Sequence, residues 1–419
     1  MSARGRHRRR KRGRALRAVL TGAALGLTAA ATMISASQAT VGSDPGGLKS
    51  LTSASDLGQL ELRETLEPQR SLDRLASAMG RPVGVDAVLK SADHTLRDAS
   101  DCTTDEKSAL PVEPAATRAY CWDSGDAADP AWTPRSVTTS GDADEDGWWG
   151  SNRVILSGWS ANAGGLARVA FVNAADPARL TYTWALLAVP TDGGRDYRGL
   201  VSTISGMVWY QDKLLVTTTG GTRDALYVYD MNRIQRTTVT ASAVGRVREG
   251  WSAAGYRYVL PAVGSYRLSA DKSAVRPVGL SLDRSTVPDS LVASGAKRLW
   301  RYPFSRDPAR TGLLATDSAG RAVPEEAYAT KVTGVGGVLA NGTSWYLGGA
   351  AGEQSGHGSL WRQDAKDAKA TECGADETHQ CWSAQTGSLS YWQETGEVWS
   401  VSGRMLFALP LNSIDSSLG

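Results

Sequence analysis

The sequence predicts an all-β protein, a β-propeller for which five blades are favoured over six, and two observations carry this prediction. From about residue 118 the apolar runs become short, rich in β-branched and aromatic residues, and separated by Gly, Asp, Asn and Ser. The same order of strand-like runs then recurs five times, and recurrence at a spacing of tens of residues is typical of repeat architectures. A β-sandwich also has many short strands, but it does not require one order of runs to repeat.

Each repeat ends in an aliphatic run that soon turns polar. These third runs begin at Val169, Leu226, Leu299, Leu360 and Leu406, with separations of 57, 73, 61 and 46 residues. A second strand-like run precedes each of them: Val154–Leu156, Leu214–Val216, Ser290–Val292, Trp345–Leu347 and Val398–Val401. Four repeats have a still earlier, Gly-containing run: Ser205–Trp209, Pro277–Leu282, Gly336–Leu339 and Gly387–Tyr391. Small residues in the innermost strands permit close approach to a central axis, and circular closure protects the sheet edges.

The N-terminus has the organisation of a secretory signal peptide, predicted to span residues 1–39. Nine Lys or Arg residues fall within the first 17 positions, and an uncharged stretch from Ala18 leads to Ser37-Gln38-Ala39, which fits a cleavage site. A retained membrane anchor is the alternative, but Thr and Ser residues dilute the apolar stretch. We therefore expect cleavage and a secreted, extracellular protein with no membrane span.

The formal charge of +3 hides an acidic body. Without the first 39 residues, 37 basic residues stand against 43 acidic ones, a charge of −6. The excess positive charge is confined to one terminal segment, so it gives no reason to expect a nucleic-acid partner. We expect the exported chain to be a monomer.

Three further segments follow the signal peptide. Residues 40–56 are rich in Gly, Ser and Thr, and are predicted to form a flexible leader. Residues 57–117 are predicted to be helical or extended, with apolar residues at helical spacing: Leu72, Leu75, Met79, Val85, Val88 and Leu89. The propeller domain is predicted to span residues 118–414.

The four cysteines fall into two local pairs, Cys102 with Cys121 and Cys373 with Cys381. Four cysteines allow three connectivities, and the short-range pairing closes the smallest loops. A zinc site is the alternative, but neither pair has the Cys-x-x-Cys spacing. We expect two structural disulfides, in agreement with an oxidising compartment.

The chain also resembles a family of secreted, β-propeller-like actinobacterial proteins. The resemblance covers roughly residues 118–414 and is carried by these segments: Cys121-Trp122-Asp123, Trp132-Thr133-Pro134, Arg168–Val172, Gly206–Tyr210, Leu226–Met231, Ser281–Val292 and Leu406–Pro410. The sequence departs from the family before Gly206, where Ile204-Ser205 stand in place of a His-containing run. The resemblance implies a compartment and a fold, and it implies no reaction.

An acidic loop offers a candidate calcium site. Asp142, Asp144 and Asp146 alternate before Gly147, and several carboxylates converging on one turn can bind Ca²⁺. The motif is incomplete, since its ninth and twelfth positions are not acidic. The alternative is a solvated hairpin loop, and calcium is the one cofactor that the sequence suggests.

A second polar run and the tryptophans are candidate ligand-binding residues. Asp283, Arg284 and Asp289 combine two carboxylates with a cation, although such residues also stabilise turns. The chain has 14 Trp and 13 Tyr against 3 Phe, and rings with a polar group suit glycan-binding surfaces. Trp149 and Trp159 lie near the acidic loop and are predicted to form such a platform. The alternative is that tryptophans fill the space between blades.

Two functions follow from these residues. The first is a non-catalytic module that binds a ligand, glycan or protein through loops at one end of the propeller. The alternative is an extracellular hydrolase or lyase with carboxylates, either alone or with calcium, at the propeller mouth, so whether the protein is an enzyme stays open. Signatures of a Ser/His/Asp hydrolase are absent, and none of the four histidines lies on a predicted inner strand.

Overall fold

The structure is a computed structural model, and it describes residues 44–162, 165–219, 223–269, 273–351, 356–374 and 379–419. The predicted signal peptide and residues 40–43 of the predicted leader lie outside these ranges. Secretion therefore stays a prediction, with which the two disulfides described below are compatible.

Short β-strands dominate the described residues. The strands up to residue 199 are β1 (Lys49–Ser50), β2 (Leu62–Leu66), β3 (His94–Thr95), β4 (Arg97–Asp98), β5 (Arg118–Cys121), β6 (Trp132–Thr139), β7 (Val154–Ala161), β8 (Ala167–Asn173), β9 (Thr181–Thr191) and β10 (Asp196–Gly199). The next are β11 (Met207–Tyr210), β12 (Lys213–Thr217), β13 (Asp224–Asp230), β14 (Gln235–Arg236), β15 (Val244–Val247), β16 (Gly250–Ala253), β17 (Tyr258–Leu268), β18 (Gly279–Asp283), β19 (Ser290–Gly295) and β20 (Arg298–Pro303). The last are β21 (Arg321–Ala322), β22 (Glu326–Ala329), β23 (Val335–Asn341), β24 (Ser344–Gly349), β25 (Ser359–Gln363), β26 (Ala368–Ala370), β27 (Leu389–Trp392), β28 (Glu397–Ser402) and β29 (Met405–Pro410).

The strands pair into five antiparallel units. Their orders from first to fourth strand are β6-β7-β8-β9, β11-β12-β13-β17, β18-β19-β20-β22, β23-β24-β25-β26 and β27-β28-β29-β5. Strands β9 and β17 also pair in parallel, which joins the first two units into one larger sheet. This all-β arrangement is that of a β-propeller, as the sequence predicts. The count of five blades stays a prediction, although five units correspond to it.

The first strands of neighbouring units approach one another closely. The Ser136 hydroxyl in β6 donates to the Ile204 carbonyl before β11, and the Ser388 hydroxyl before β27 donates to the Val137 carbonyl in β6. An added Cβ at Gly387 would lie 2.6 Å from the Arg135 carbonyl oxygen, so only glycine fits there without a shift. The small residues predicted for the innermost strands therefore serve close packing.

The C-terminal unit is completed by a strand from the beginning of the domain. Strand β29 pairs with β5 through Met405 with Cys121 and Ala408 with Arg118. One sheet thus unites the beginning and the end of the predicted propeller domain, which resists opening of the ring because strands far apart in sequence must separate together.

The N-terminal segment contains helices and also contributes strands to the units. The α-helices in all the described residues, within and beyond this segment, are α1 (Ala54–Gly58), α2 (Gln69–Met79), α3 (Val85–Leu89), α4 (Thr104–Lys107), α5 (Ser124–Ala128), α6 (Ser140–Ala143) and α7 (Leu411–Ser416). Short 3₁₀-helices lie at Ala99–Asp101, Asp192–Gly194 and Pro308–Arg310. The apolar residues predicted at helical spacing lie in α2 and α3 and are buried. Among the described helices, none has the length and apolar character that a membrane crossing requires.

The end of the predicted flexible leader is fixed in the sheet, and the expectation is corrected there. Lys49–Ser50 pairs with β22, and the Leu48 side chain is buried in an apolar cluster beside Trp345. Burial of one leucine and a short strand pairing are enough to attach this segment, although its composition resembles a linker.

Both predicted disulfides are present. Cys102 pairs with Cys121, which links the N-terminal segment to β5, and Cys373 pairs with Cys381. The described residues contain no free cysteine. The zinc alternative is therefore excluded for these thiols, because sulfurs in a disulfide cannot act as thiolate ligands.

Candidate functional site

The acidic loop at residues 142–147 and the polar run at residues 283–289 are the two polar motifs predicted from the sequence. They lie next to each other in the structure, after the first strands of their units. The Arg284 guanidinium, just after β18, donates through Nη2 to the Asp142 carbonyl oxygen at 2.8 Å. Through Nη1 it donates to Asp289 Oδ2 at 3.0 Å. We call Asp142, Arg284 and Asp289 the Arg284 cluster. Arg284 thus ties the acidic loop to the turn after β18.

The carboxylate of Asp142 faces the interior and not the loop. Its Oδ2 accepts hydrogen bonds from Thr138 Oγ1 at 2.6 Å and Ser390 Oγ at 2.7 Å, which joins the first unit to the last. Burial raises the pKa of Asp142 above its usual value, and the two hydroxyls only partly offset this effect. Asp142 therefore serves the packing of the ring.

The expected calcium site is corrected on this geometry. Asp144 and Asp146 are exposed, and Asp146 Oδ1 accepts from the Trp148 amide at 2.8 Å. The three predicted ligands are not among the described groups whose oxygen, nitrogen or sulfur atoms lie within 4.8 Å of one another. A buried carboxylate and two exposed ones stabilise a turn, and they do not form one oxygen cage.

The turn after β18 also uses its polar side chains internally. Asp283 is buried, its Oδ2 lies 2.8 Å from Arg301 Nη2, and its Oδ1 accepts from the Ser285 amide at 2.8 Å. Burial raises the pKa of Asp289, while Arg284 and the Tyr210 hydroxyl lower it in part. A ligand at Asp283 would have to displace a buried ion pair, so the expectation that Asp283 binds ligand is corrected.

The predicted tryptophan platform is not formed. Trp159 is 0% exposed and therefore offers no face to a ligand. Trp149 is half-buried, and its ring packs against Trp209 with centroids 5.0 Å apart. Both rings fill space inside the protein, which is the alternative role that the sequence left open.

Prediction on Asp142. We expect Asp142→Asn to become more stable relative to the wild type as pH rises from about 4 to about 7. A carboxyl group whose folded pKa is raised stabilises the fold below its unfolded pKa, and that contribution is lost as pH rises through the folded pKa. Urea unfolding of both proteins at the two pH values measures this. Asp144→Asn, in the exposed loop, is the control, and an equal pH trend in both variants contradicts the assignment.

A cleft on the outer part of the first unit collects a different set of polar residues. It has a volume of about 580 Å³ and lies where β3, β8, β9, α5 and the segments around residues 236–240 and 255–257 meet. Its lining comprises Asp93, His94, Asp126, Arg168, Thr183, Trp184, Arg236, Thr237, Thr238, Val239, Thr240, Gly255, Tyr256 and Arg257. We call it the Asp126 cleft.

A buried ion pair forms the inner wall of the cleft. Asp126 Oδ1 accepts from Arg168 Nη2 at 3.0 Å, and Asp126 Oδ2 accepts from the Tyr182 hydroxyl at 2.7 Å and Trp184 Nε1 at 3.1 Å. Asp126 lies in α5, whose first turn is capped by the side chain of Asp123. The carboxylate is thus fully supplied with donors, as a buried charge requires.

Aromatic rings surround the Arg168 guanidinium. Its Cζ lies 3.6 Å from the ring centroid of Trp184, 4.3 Å from that of Trp132 and 5.2 Å from that of Trp159. Arg168 Nη1 also donates to the Tyr256 hydroxyl at 3.0 Å. Arg168 is only 4% exposed, so these cation–π contacts act in a desolvated setting, where they are strongest.

His94 is oriented at the cleft by Asp123. Its Nδ1 lies 2.5 Å from Asp123 Oδ2, and its ring stacks on Tyr182 with centroids 4.9 Å apart. Burial acts to raise the pKa of Asp123, but the Asp126 amide and His94 outweigh it and lower that pKa below its usual value. With Nδ1 engaged, Nε2 is the imidazole nitrogen that can bind a ligand, and it lies 3.7 Å from Asp93 Oδ1, beyond hydrogen-bond distance.

Sequence reasoning missed this cleft. His94, Asp126 and Arg168 are far apart in the chain and form no motif, and His94 lies on no predicted inner strand. One signal was present: Asp123, Trp132 and Arg168 all lie in segments that carry the family resemblance.

Comparisons with known proteins identify no family for this chain. No protein-family model matches the chain, and no curated protein is similar to it. A solved structure, the β-propeller domain of Cps50 (Swd1) from Myceliophteria thermophila, aligns with 12% sequence identity and a TM-score of 0.28. The alignment covers 61% of this chain and 66% of that one. A similarity this weak supports no statement about function.

Proposed function

We propose that the protein is a binding module that takes a carbohydrate into the Asp126 cleft. The observation that carries the proposal is the presence, in one cleft, of aromatic rings beside side chains that donate and accept hydrogen bonds. Sugars present apolar C–H faces together with hydroxyl groups that act as donors and acceptors. A site for them needs both features in the same place.

The size of the cleft suits this ligand class. Small-molecule sites commonly measure roughly 300–1,000 Å³, and the Asp126 cleft measures about 580 Å³. The half-buried Tyr256 supplies aromatic surface, while Thr238 and Thr240 add exposed hydroxyl-bearing residues at the rim.

The inner wall and the rim of the Asp126 cleft contribute differently to ligand binding. Asp126 and Arg168 form an ion pair with each other and hold the surrounding rings in place. They therefore form a rigid base of the cleft and do not make the main contacts with the ligand. His94, Arg236 and Arg257 line the same cleft from partly or fully exposed positions. Rigid aromatic surface with polar groups at the edge lowers the entropic cost of binding.

The enzyme alternative has no comparable support. Its carboxylates would be Asp283, Asp289 and Asp144, yet Asp283 is paired with Arg301 and Asp289 with Arg284. Groups engaged in internal ion pairs are poorly placed to transfer protons, so we propose no reaction at this end of the propeller.

Prediction on Tyr256. We expect Tyr256→Ala to lower the affinity for a bound oligosaccharide by roughly tenfold or more, because aromatic anchors often account for over about 1.4 kcal/mol of binding. A glycan array identifies the oligosaccharide, and titration calorimetry measures its affinity. Tyr391→Ala, a half-buried tyrosine of β27 outside the cleft, is the matched control. Failure of the wild type to bind any glycan, or equal affinities for both variants, overturns the proposal.

A further inference from the structure

We infer that the carbohydrate bound in the Asp126 cleft carries carboxylate groups, as an acidic oligosaccharide of uronic acids does. This inference rests on the proposed function and specifies its ligand class. The observation behind it is an uncompensated positive charge at the rim of the cleft.

The charges that line the cleft do not balance. Among the lining residues, Arg168, Arg236 and Arg257 stand against Asp93 and Asp126. His94 is left out of the count together with Asp123, whose Oδ2 lies 2.5 Å from His94 Nδ1. Arg168 is matched by Asp126 at 3.0 Å, and Arg257 lies 3.6 Å from Asp93. Arg236 is the cation that remains.

The Arg236 side chain has no hydrogen-bond or ion-pair partner in the part of the chain that the structure describes. Its guanidinium carbon lies 5.9 Å from the ring centroid of Tyr258, and the side chain is exposed at the end of β14. An exposed guanidinium keeps its hydration and its five donors, and so it is available to a ligand at low cost.

Arg257 is only partly engaged by the protein. Its Nη1 donates to the Ser91 carbonyl oxygen at 3.0 Å, which anchors the side chain at the rim. The distance of 3.6 Å from Nη2 to Asp93 Oδ2 is longer than a hydrogen bond, so a ligand anion can compete for this group.

The positive rim contrasts with the rest of the exported sequence. Residues 40–419 contain 37 basic and 43 acidic residues, so the body is acidic as a whole. A local excess of positive charge on an acidic body attracts anions selectively to that place. Guanidinium groups bind carboxylates through two parallel hydrogen bonds, which gives both strength and orientation.

The test compares three oligosaccharides of equal length: tetragalacturonate, its methyl ester and a sulfated neutral tetramer. We expect wild-type protein to prefer tetragalacturonate over the ester by roughly tenfold, since a hydrogen bond to a charged group contributes about 1.5–3 kcal/mol. In Arg236→Gln that preference should fall to near unity. Arg257→Gln, a second variant, should reduce the same preference in part.

Arg248→Gln is the matched control, because Arg248 is an exposed arginine outside the cleft. It should retain the wild-type preference. Circular dichroism and melting temperature establish that each variant is folded.

The outcomes separate this inference from the proposed function. Equal affinity of wild-type protein for the acid and the ester contradicts the inference and leaves carbohydrate binding intact. Equal or tighter binding of the sulfated tetramer overturns the choice of carboxylate. Absence of binding to any oligosaccharide overturns both.

Discussion

Replacing Arg168 with methionine should lower the free energy of unfolding by about 3–5 kcal/mol, the usual cost of leaving one partner of a buried ion pair alone. Asp126 would keep its hydrogen bonds from Tyr182 and Trp184 but lose its ion pair with Arg168, which lies at 3.0 Å. The aromatic rings around the guanidinium would also lose their cation–π contacts. Urea unfolding followed by tryptophan fluorescence and by circular dichroism measures the effect.

Two further variants test whether the loss of stability comes from the Arg168–Asp126 ion pair. Arg168→Met combined with Asp126→Asn should recover part of the loss, because the double variant removes the unpaired charge. Arg195→Met is the control, since Arg195 and Asp192 form an exposed pair whose side chains are 63% and 66% accessible. We expect its effect to stay within about 0.5 kcal/mol. A loss below about 1 kcal/mol for Arg168→Met contradicts the role of this pair.

Substituting Gly387 with alanine should destabilise the ring by about 1–3 kcal/mol, the range for overpacking a tight interior. The added Cβ would lie 2.4 Å from Val401 Cγ2 and 2.6 Å from the Arg135 carbonyl oxygen. The backbone carbonyl belongs to β6 and cannot move alone. The contact between the first and last units would therefore widen.

The comparison variant is Gly58→Ala at the end of α1. An added Cβ at Gly58 meets no atom within 4 Å, so this change should be neutral or slightly stabilising. Thermal unfolding of both variants checks the expectation. Equal melting temperatures for the two would show that close packing at Gly387 is unimportant.

The fold could be predicted from sequence because its repeats are local. Each second and third run predicted from periodicity lies in a strand, from Val154–Leu156 in β7 to Leu406 in β29. The fourth strand of each unit was not predicted from the sequence. Strand β5 comes from before the repeats and pairs with β29, while β9 and β17 are buried along almost their entire length and show no alternation. Such pairings depend on tertiary contacts that a local pattern does not contain.

The site was harder to predict than the fold, for a physical reason. The predicted residues, such as Asp142 and Asp283, are conspicuous in sequence because polar groups cluster in turns, and the structure engages them in those turns. The cleft instead joins His94, Asp126 and Arg168 through strand pairing and helix capping. Residues that converge only after folding leave no spacing signal.

The most direct test of carbohydrate binding in the Asp126 cleft is a crystal structure of the protein with the oligosaccharide that binds most tightly in titration. We expect a sugar ring packed against Tyr256, with hydrogen bonds to at least one of His94, Arg236 and Arg257. A sugar bound at the Arg284 cluster, with the Asp126 cleft empty, would contradict this account.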